Sequence, residues 1–185
     1  MEFTYVTGNS AKINSAKQYL EPLGIIVNHV KMDTPELQAD NVEDIAKYSA
    51  KYACETLKKR VIKNDTGFFV EALNGFPGPY SHYVEDTLGR DGLLKIMQGV
   101  KNRKAKFIEC FALCEPNCEP ITFFSITNGY IAQESYGDAK WGWDSIFVPD
   151  GKDKPLSFFP DDVRYKLWDL SAYDQIVDYL KNKNN

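Results

Sequence analysis

Long apolar runs are missing from this 185-residue chain. None approaches the ~18–20 residues a membrane-spanning helix needs, which argues against an integral membrane protein. The opening MEFTYVTGNSAK has no basic stretch followed by an apolar one, so no cleaved secretory leader is expected. Positive charge is not in excess either: 22 Lys and Arg stand against 26 Asp and Glu, a net charge of -4. A general nucleic-acid binder gains affinity by neutralising phosphates with a basic surface, so that class is disfavoured. A small phosphorylated ligand held by a few lysines is not. Histidine is limited to His29 and His82, and cysteine to Cys54, Cys110, Cys114 and Cys118. The even spacing of the last three matches no zinc pattern, and no histidine lies near them. They read as reduced thiols, with Cys110 and Cys114 on one face of a strand. Together these absences predict a soluble protein of the cytoplasm.

What is present is ordinary for a folded domain. Hydrophobic residues make up 43% and charged residues 26%, close enough to globular averages to exclude wholesale disorder. No repeat, low-complexity tract or long hydrophilic linker divides the chain, so residues 1–185 are read as one domain. Residues 2–7 predict a strand, 10–22 a helix with Ile13, Ala16, Tyr19 and Leu20 at three-to-four spacing, and 25–30 a second strand. Strand, helix, strand in so short a span is the unit of an α/β fold. A second helix is predicted over 42–59 and a short strand over 61–64. The run FFVEAL is read as extended, NGFPGPYS as an irregular loop, and 86–99 as a helix. KFIECFALC, PITFFSITNG and YIAQES then predict an antiparallel meander, turning at 115–120 and at Asn128-Gly129. A last helix is expected near 172–182, with KNKNN frayed behind it.

Three stretches combine small residues, amides and charges. Thr7-Gly8-Asn9-Ser10-Ala11-Lys12 lies between a strand and a helix, where unpaired N–H groups and partial positive charge favour an anion. Gly8 permits close approach and Lys12 adds a full charge, although a plain Asn or Ser helix cap explains the same residues. Glu36 follows Thr34-Pro35, and Asp65 is read as ending a strand before Thr66-Gly67. Carboxylates at strand ends reach ligand crevices in α/β sheets, and two of them suit Mg2+ beside a substrate phosphate. A solvated loop acid and a turn former are the plainer reading. Trp141-Gly142-Trp143-Asp144 offers aromatic faces for a base and a carboxylate for its hydrogen bonds, or simply a core cluster.

Taken in order, TGNSAK (7–12), TPELQ (34–38), NDTGFFVEALNGFPGPYS (64–81) and GWDSIFVPDG (142–151) resemble the inosine triphosphate pyrophosphatase family, with the match running to about residue 170. The resemblance implies an elongated α/β fold with two lobes and a cleft, a mixed central sheet flanked by helices, Mg2+ dependence and a homodimer. It implies hydrolysis of non-standard purine nucleoside triphosphates such as ITP, XTP and dITP at the α-phosphate, giving the monophosphate and pyrophosphate. Thr7, Gly8, Asn9, Ser10 and Lys12 would then hold the phosphate chain. Glu36 and Asp65 would place Mg2+, with Asp65 also orienting or deprotonating the attacking water. Trp143 would stack on the purine beside Asp144, and Lys166 falls on a family lysine. The chain departs from the family pattern at three places. Asn64 stands where a first acid is usual, Ser49 where the second helix carries a phosphate-side lysine, and Leu170-Ser171-Ala172 where Ser-His-Arg reads the base. A pyrophosphatase for another modified or ordinary nucleotide, and a nucleotide-binding protein without turnover, are the competing readings.

Overall fold

The computed structural model describes residues 1–137 and 142–183. Strand β1 (Glu2–Val6) is buried from Phe3 onward on both faces, as an interior strand of a covered sheet must be. Helix α1 (Ser10–Leu20) buries Ile13, Ala16 and Leu20, and its stripe ends at Gly24, whose left-handed backbone turns the chain into β2 (Ile26–Val30). β1 pairs β2 in parallel, Glu2 opposite Ile26 and Val6 opposite Val30, which completes the predicted βαβ unit. Helix α2 (Val42–Leu57) starts at Asn41, whose side chain accepts from the Asp44 N–H, with Glu43 and Asp44 in the positive first turn.

β3 (Val61–Val70) is one strand of 10 residues, so Asp65 lies in mid-strand rather than at a strand end. The predicted break at Asp65-Thr66-Gly67 fails because the polar side chains before it are anchored: Tyr5 Oη donates to Asn64 Oδ1 at 2.7 Å, and Asn64 donates on to Glu109. The Gly/Pro stretch contains a short strand, β4 (Pro77–Gly78), antiparallel to β3. The single helix read over 86–99 is two, α3 (Ser81–Thr87) and α4 (Gly89–Ile96), because Gly89 has φ 69, outside the helical region.

β5 (Lys104–Cys114) and β6 (Ile121–Ile131) follow, and Asn128-Gly129 lies inside β6 instead of turning it. β6 pairs antiparallel with β7 (Phe147–Pro149), Gly129 opposite Pro149. A Cβ at Gly129 would meet the Val148 carbonyl oxygen at 2.2 Å and the Phe147 ring at 2.7 Å. The glycine is there for strand approach, not for a turn. YIAQES is therefore not a third strand, since β6 ends at Ile131. The tail holds α5 (Asp161–Arg164) and α6 (Ser171–Lys183). α6 takes in three residues expected to fray, held by Lys183 Nζ on Glu115 at 2.5 Å, while Asn184 and Asn185 lie outside the described residues.

The mixed sheet runs β2-β1-β3-β5-β6-β7, with β4 on β3. The chain divides into two compact units: Met1–Asp65 with Glu109–Ser125 and Leu170–Asn185, and Thr66–Ile108 with Ile126–Asp169. β3, β5 and β6 each begin among the residues of one unit and end among those of the other. Each unit has its own core. Phe3, Tyr5, Leu20, Ile62, Phe111 and the inner face of α6 fill the first. Phe68, Leu93, Phe107, Trp143, Ile146 and Phe147 fill the second.

Candidate active site

In the first unit, the loop between β1 and α1 presents the predicted phosphate-side residues. Thr7 Oγ1 accepts from the Asn9 N–H at 3.1 Å, and Asn9 Oδ1 accepts from Ala11 N at 2.9 Å and Lys12 N at 3.3 Å. Asn9 is thus the helix cap, and the plainer reading of its side-chain oxygen is the one realised. Gly8 and Ser10 are exposed, and Lys12 is half-buried in the first turn. A Cβ at Gly8 would touch only Lys31 Cε at 3.8 Å, so the protein's own packing does not require glycine there. What its absence of a side chain leaves is an open approach to the helix N-terminus.

Asp65 is half-buried on β3, and Lys63 stands two residues earlier on the same face of that strand. Lys63 Nζ donates to Thr34 Oγ1 at 2.5 Å, tying β3 to the TPELQ segment. Burial lowers the Lys63 pKa, and the nearby Lys12 charge lowers it further, while Asp65 and Asp33 act the other way. Lys12, Lys63 and Asp65 are therefore electrostatic neighbours. Sequence reading missed Lys63, although its spacing from Asp65 was a usable signal. Glu36 is exposed on the irregular stretch between β2 and α2.

Asn64 has a physical reason. It accepts from Tyr5 and donates to Glu109, so position 64 needs a donor toward a carboxylate, which an acid there cannot supply when ionised. The carboxylate that Asn64 meets is Glu109, on β5.

In the second unit, Asp144 sits in a short 3-10 turn (Gly142–Ser145) and is buried. Burial pushes its carboxyl up to about 6; Arg164 opposes the shift, and Glu85 and Asp161 add to it. Arg164 contacts Asp144 at 3.3 Å and Asp161 at 2.5 Å, while Lys166 is exposed. The cation placed on Asp144 is Arg164, not the predicted Lys166. Trp143 is 4% exposed and its ring lies over Phe68 at 5.4 Å, so the geometry gives it a core position rather than an open stacking face. Trp141 lies outside the described residues. At Leu170-Ser171-Ala172, Ser171 and Ala172 bond Phe124 and Ser125 within β6, Ala172 N to Ser125 Oγ at 3.0 Å, so these residues seat α6.

The Asp144 shift sets a pH dependence. The native carboxyl holds its proton to a higher pH than the unfolded one. The contribution of this carboxyl to stability is therefore fully present below about pH 4 and is lost as pH rises to about 6. Wild type should lose on the order of 2–3 kcal/mol relative to Asp144→Asn across that window. Denaturant titrations of both proteins at the two limits check it, and a constant difference would refute the burial argument.

A helix N-terminus with a first-turn lysine, next to a strand lysine and a strand carboxylate, is the kind of setting in which α/β proteins take phosphorylated ligands. Residues 3–167 match the Ham1 family, and the chain belongs to that family. It is 44% identical over 183 residues to the dITP/XTP pyrophosphatase of Methanopyrus kandleri, covering 98% of this chain and 97% of that one. It is 42% identical over 157 residues to the dITP/XTP pyrophosphatase of Thermococcus kodakarensis, covering 85% and 84%. The Ham1 protein of Staphylococcus aureus has the same fold, with a TM-score of 0.85, 26% identity, and coverage of 99% of this chain and 100% of that one.

Proposed function

We propose that the chain is a nucleoside triphosphate pyrophosphatase. It hydrolyses non-standard purine nucleotides of the dITP and XTP kind to the monophosphate and pyrophosphate, and depends on Mg2+. The observation that carries this reading is the grouping of Lys12, Lys63 and Asp65 at the α1 N-terminus, in a chain so similar along its length to dITP/XTP pyrophosphatases. Phosphoryl transfer asks a protein mainly for positioning and charge neutralisation. The exposed N–H groups of Gly8 and Ser10, with Lys12, would cradle the phosphate chain. Asp65 would orient a water toward the α-phosphorus and accept its proton, as the bond to the bridging oxygen breaks and pyrophosphate leaves. Trp143, Asp144 and Lys166 are assigned to the base side on the family resemblance alone.

Among the described residues no group of three or more His, Cys, Asp or Glu is assembled for a metal. Asp65 and Glu36 are nonetheless the oxygen donors Mg2+ takes, and Mg2+ needs only one or two carboxylates beside its waters and substrate phosphates. The donor set fits. When bound, the ion would neutralise phosphate charge and polarise the phosphoryl oxygens.

The proposal extends to a homodimer in the cytoplasm that binds neither nucleic acid nor membrane. Four free cysteines suit a reducing compartment, and the net charge of -4 disfavours phosphate backbones and anionic lipid. Among the described residues no helix is long and apolar enough to cross a membrane.

Pyrophosphate release across ITP, XTP, dITP, GTP, ATP, dUTP, CTP and TTP tests the activity. We expect dITP, ITP and XTP to lead, activity to vanish in EDTA, and Mg2+ to restore it. Silence across the panel would overturn the reading. A profile led by another base would keep the chemistry and move the specificity, an outcome that the missing Ser-His-Arg makes specific.

A further inference from the structure

Lys63 is costly where it stands. Its ammonium is half-buried, its hydrogen bond goes to a neutral hydroxyl, and among the described residues it forms no ion pair. It shares a face of β3 with Asp65, and its hydroxyl partner Thr34 belongs to the same segment as Glu36. A valine or threonine in this strand would avoid that cost, so stability does not explain the lysine. Lys63 also has donors to spare, since an ammonium carries three and Thr34 takes one. The second helix, meanwhile, has no lysine at the position where the family resemblance leads one to expect a phosphate-side cation. Ser49 is there instead, and it is buried.

We propose that Lys63 is a second phosphate-binding cation of this site, gripping the triphosphate together with Lys12 and replacing from strand β3 the charge absent at Ser49. The inference rests on the phosphate-side reading of the α1 N-terminus. Thr34 positions the ammonium, so the phosphate chain meets a preset donor instead of a solvated, mobile lysine.

Calorimetry with inorganic tripolyphosphate tests this without requiring turnover. Lys63→Met and Lys63→Gln should each weaken binding by about tenfold or more, because a charge-assisted hydrogen bond is lost. Lys63→Arg should stay within about threefold of wild type, since it keeps the charge. Melting temperatures of the Met and Gln variants should stay near that of wild type, which separates lost binding from lost folding. Tripolyphosphate binding by both neutral variants within about twofold of wild type would overturn the assignment, as would failure of wild type to bind it. Failure of the wider reading looks different: tight, Lys63-dependent tripolyphosphate binding with no pyrophosphate released from any nucleotide.

Discussion

Asp65→Asn should lower kcat for dITP by about 10²–10⁴-fold, the usual weight of a positioned base, while the protein still folds. The change keeps the volume and removes one negative charge at mid-strand, just after residues held by Lys63 on Thr34 and Asn64 on Tyr5. Circular dichroism and melting temperature would therefore move little. Tripolyphosphate affinity should hold or rise without Mg2+, since a carboxylate that repels the phosphate chain has gone. Turnover near that of wild type would show that another group handles the water, and Glu109, joined to the neighbouring Asn64, would be the first to test.

The largest stability effect is expected at Phe68. It is fully buried, lies 4.5 Å from Phe107 and 5.4 Å from Trp143 in stacked pairs, and meets Phe147 edge-on at 5.8 Å. Phe68→Ala empties the centre of the second core, where large-to-small changes cost about 3–5 kcal/mol, and aromatic pairing adds to that. Equilibrium urea unfolding followed by tryptophan fluorescence would register it, because Trp143 loses the ring it lies against. A cost below about 1 kcal/mol would mean the cluster is not packed as described.

Local chemistry made much of this legible in advance. The βαβ start follows from hydrophobic spacing and from the Asn9 cap, and the family motifs sit on a Ham1 fold. The failures were non-local. Asn128-Gly129 reads as a hairpin turn until Phe147 and Val148 arrive beside it from a distant segment. Asp65-Thr66-Gly67 reads as a strand stop until Tyr5 and Glu109 supply partners on neighbouring strands. Lys63 passed as one more polar strand residue because nothing in its neighbourhood along the chain reveals Lys12 or Thr34. The burial of Trp143 against Phe68 was not legible either, because side-chain burial is a property of the folded core.

The discontinuity of the first unit carries a consequence for synthesis. Its core draws on residues from both ends of the chain, with Ala172, Tyr173, Ile176, Val177 and Leu180 of α6 packed among Phe3, Tyr5 and Leu20. The second unit's residues all lie between Thr66 and Asp169. As the chain leaves the ribosome, the phosphate-side loop and β1 emerge first but cannot close their core until the C-terminal helix follows. The segment bearing Lys12, Lys63 and Asp65 is thus the first made and among the last secured. A message truncated before Leu170 yields a chain that contains every one of those three residues and none of the helix that closes the core beneath them.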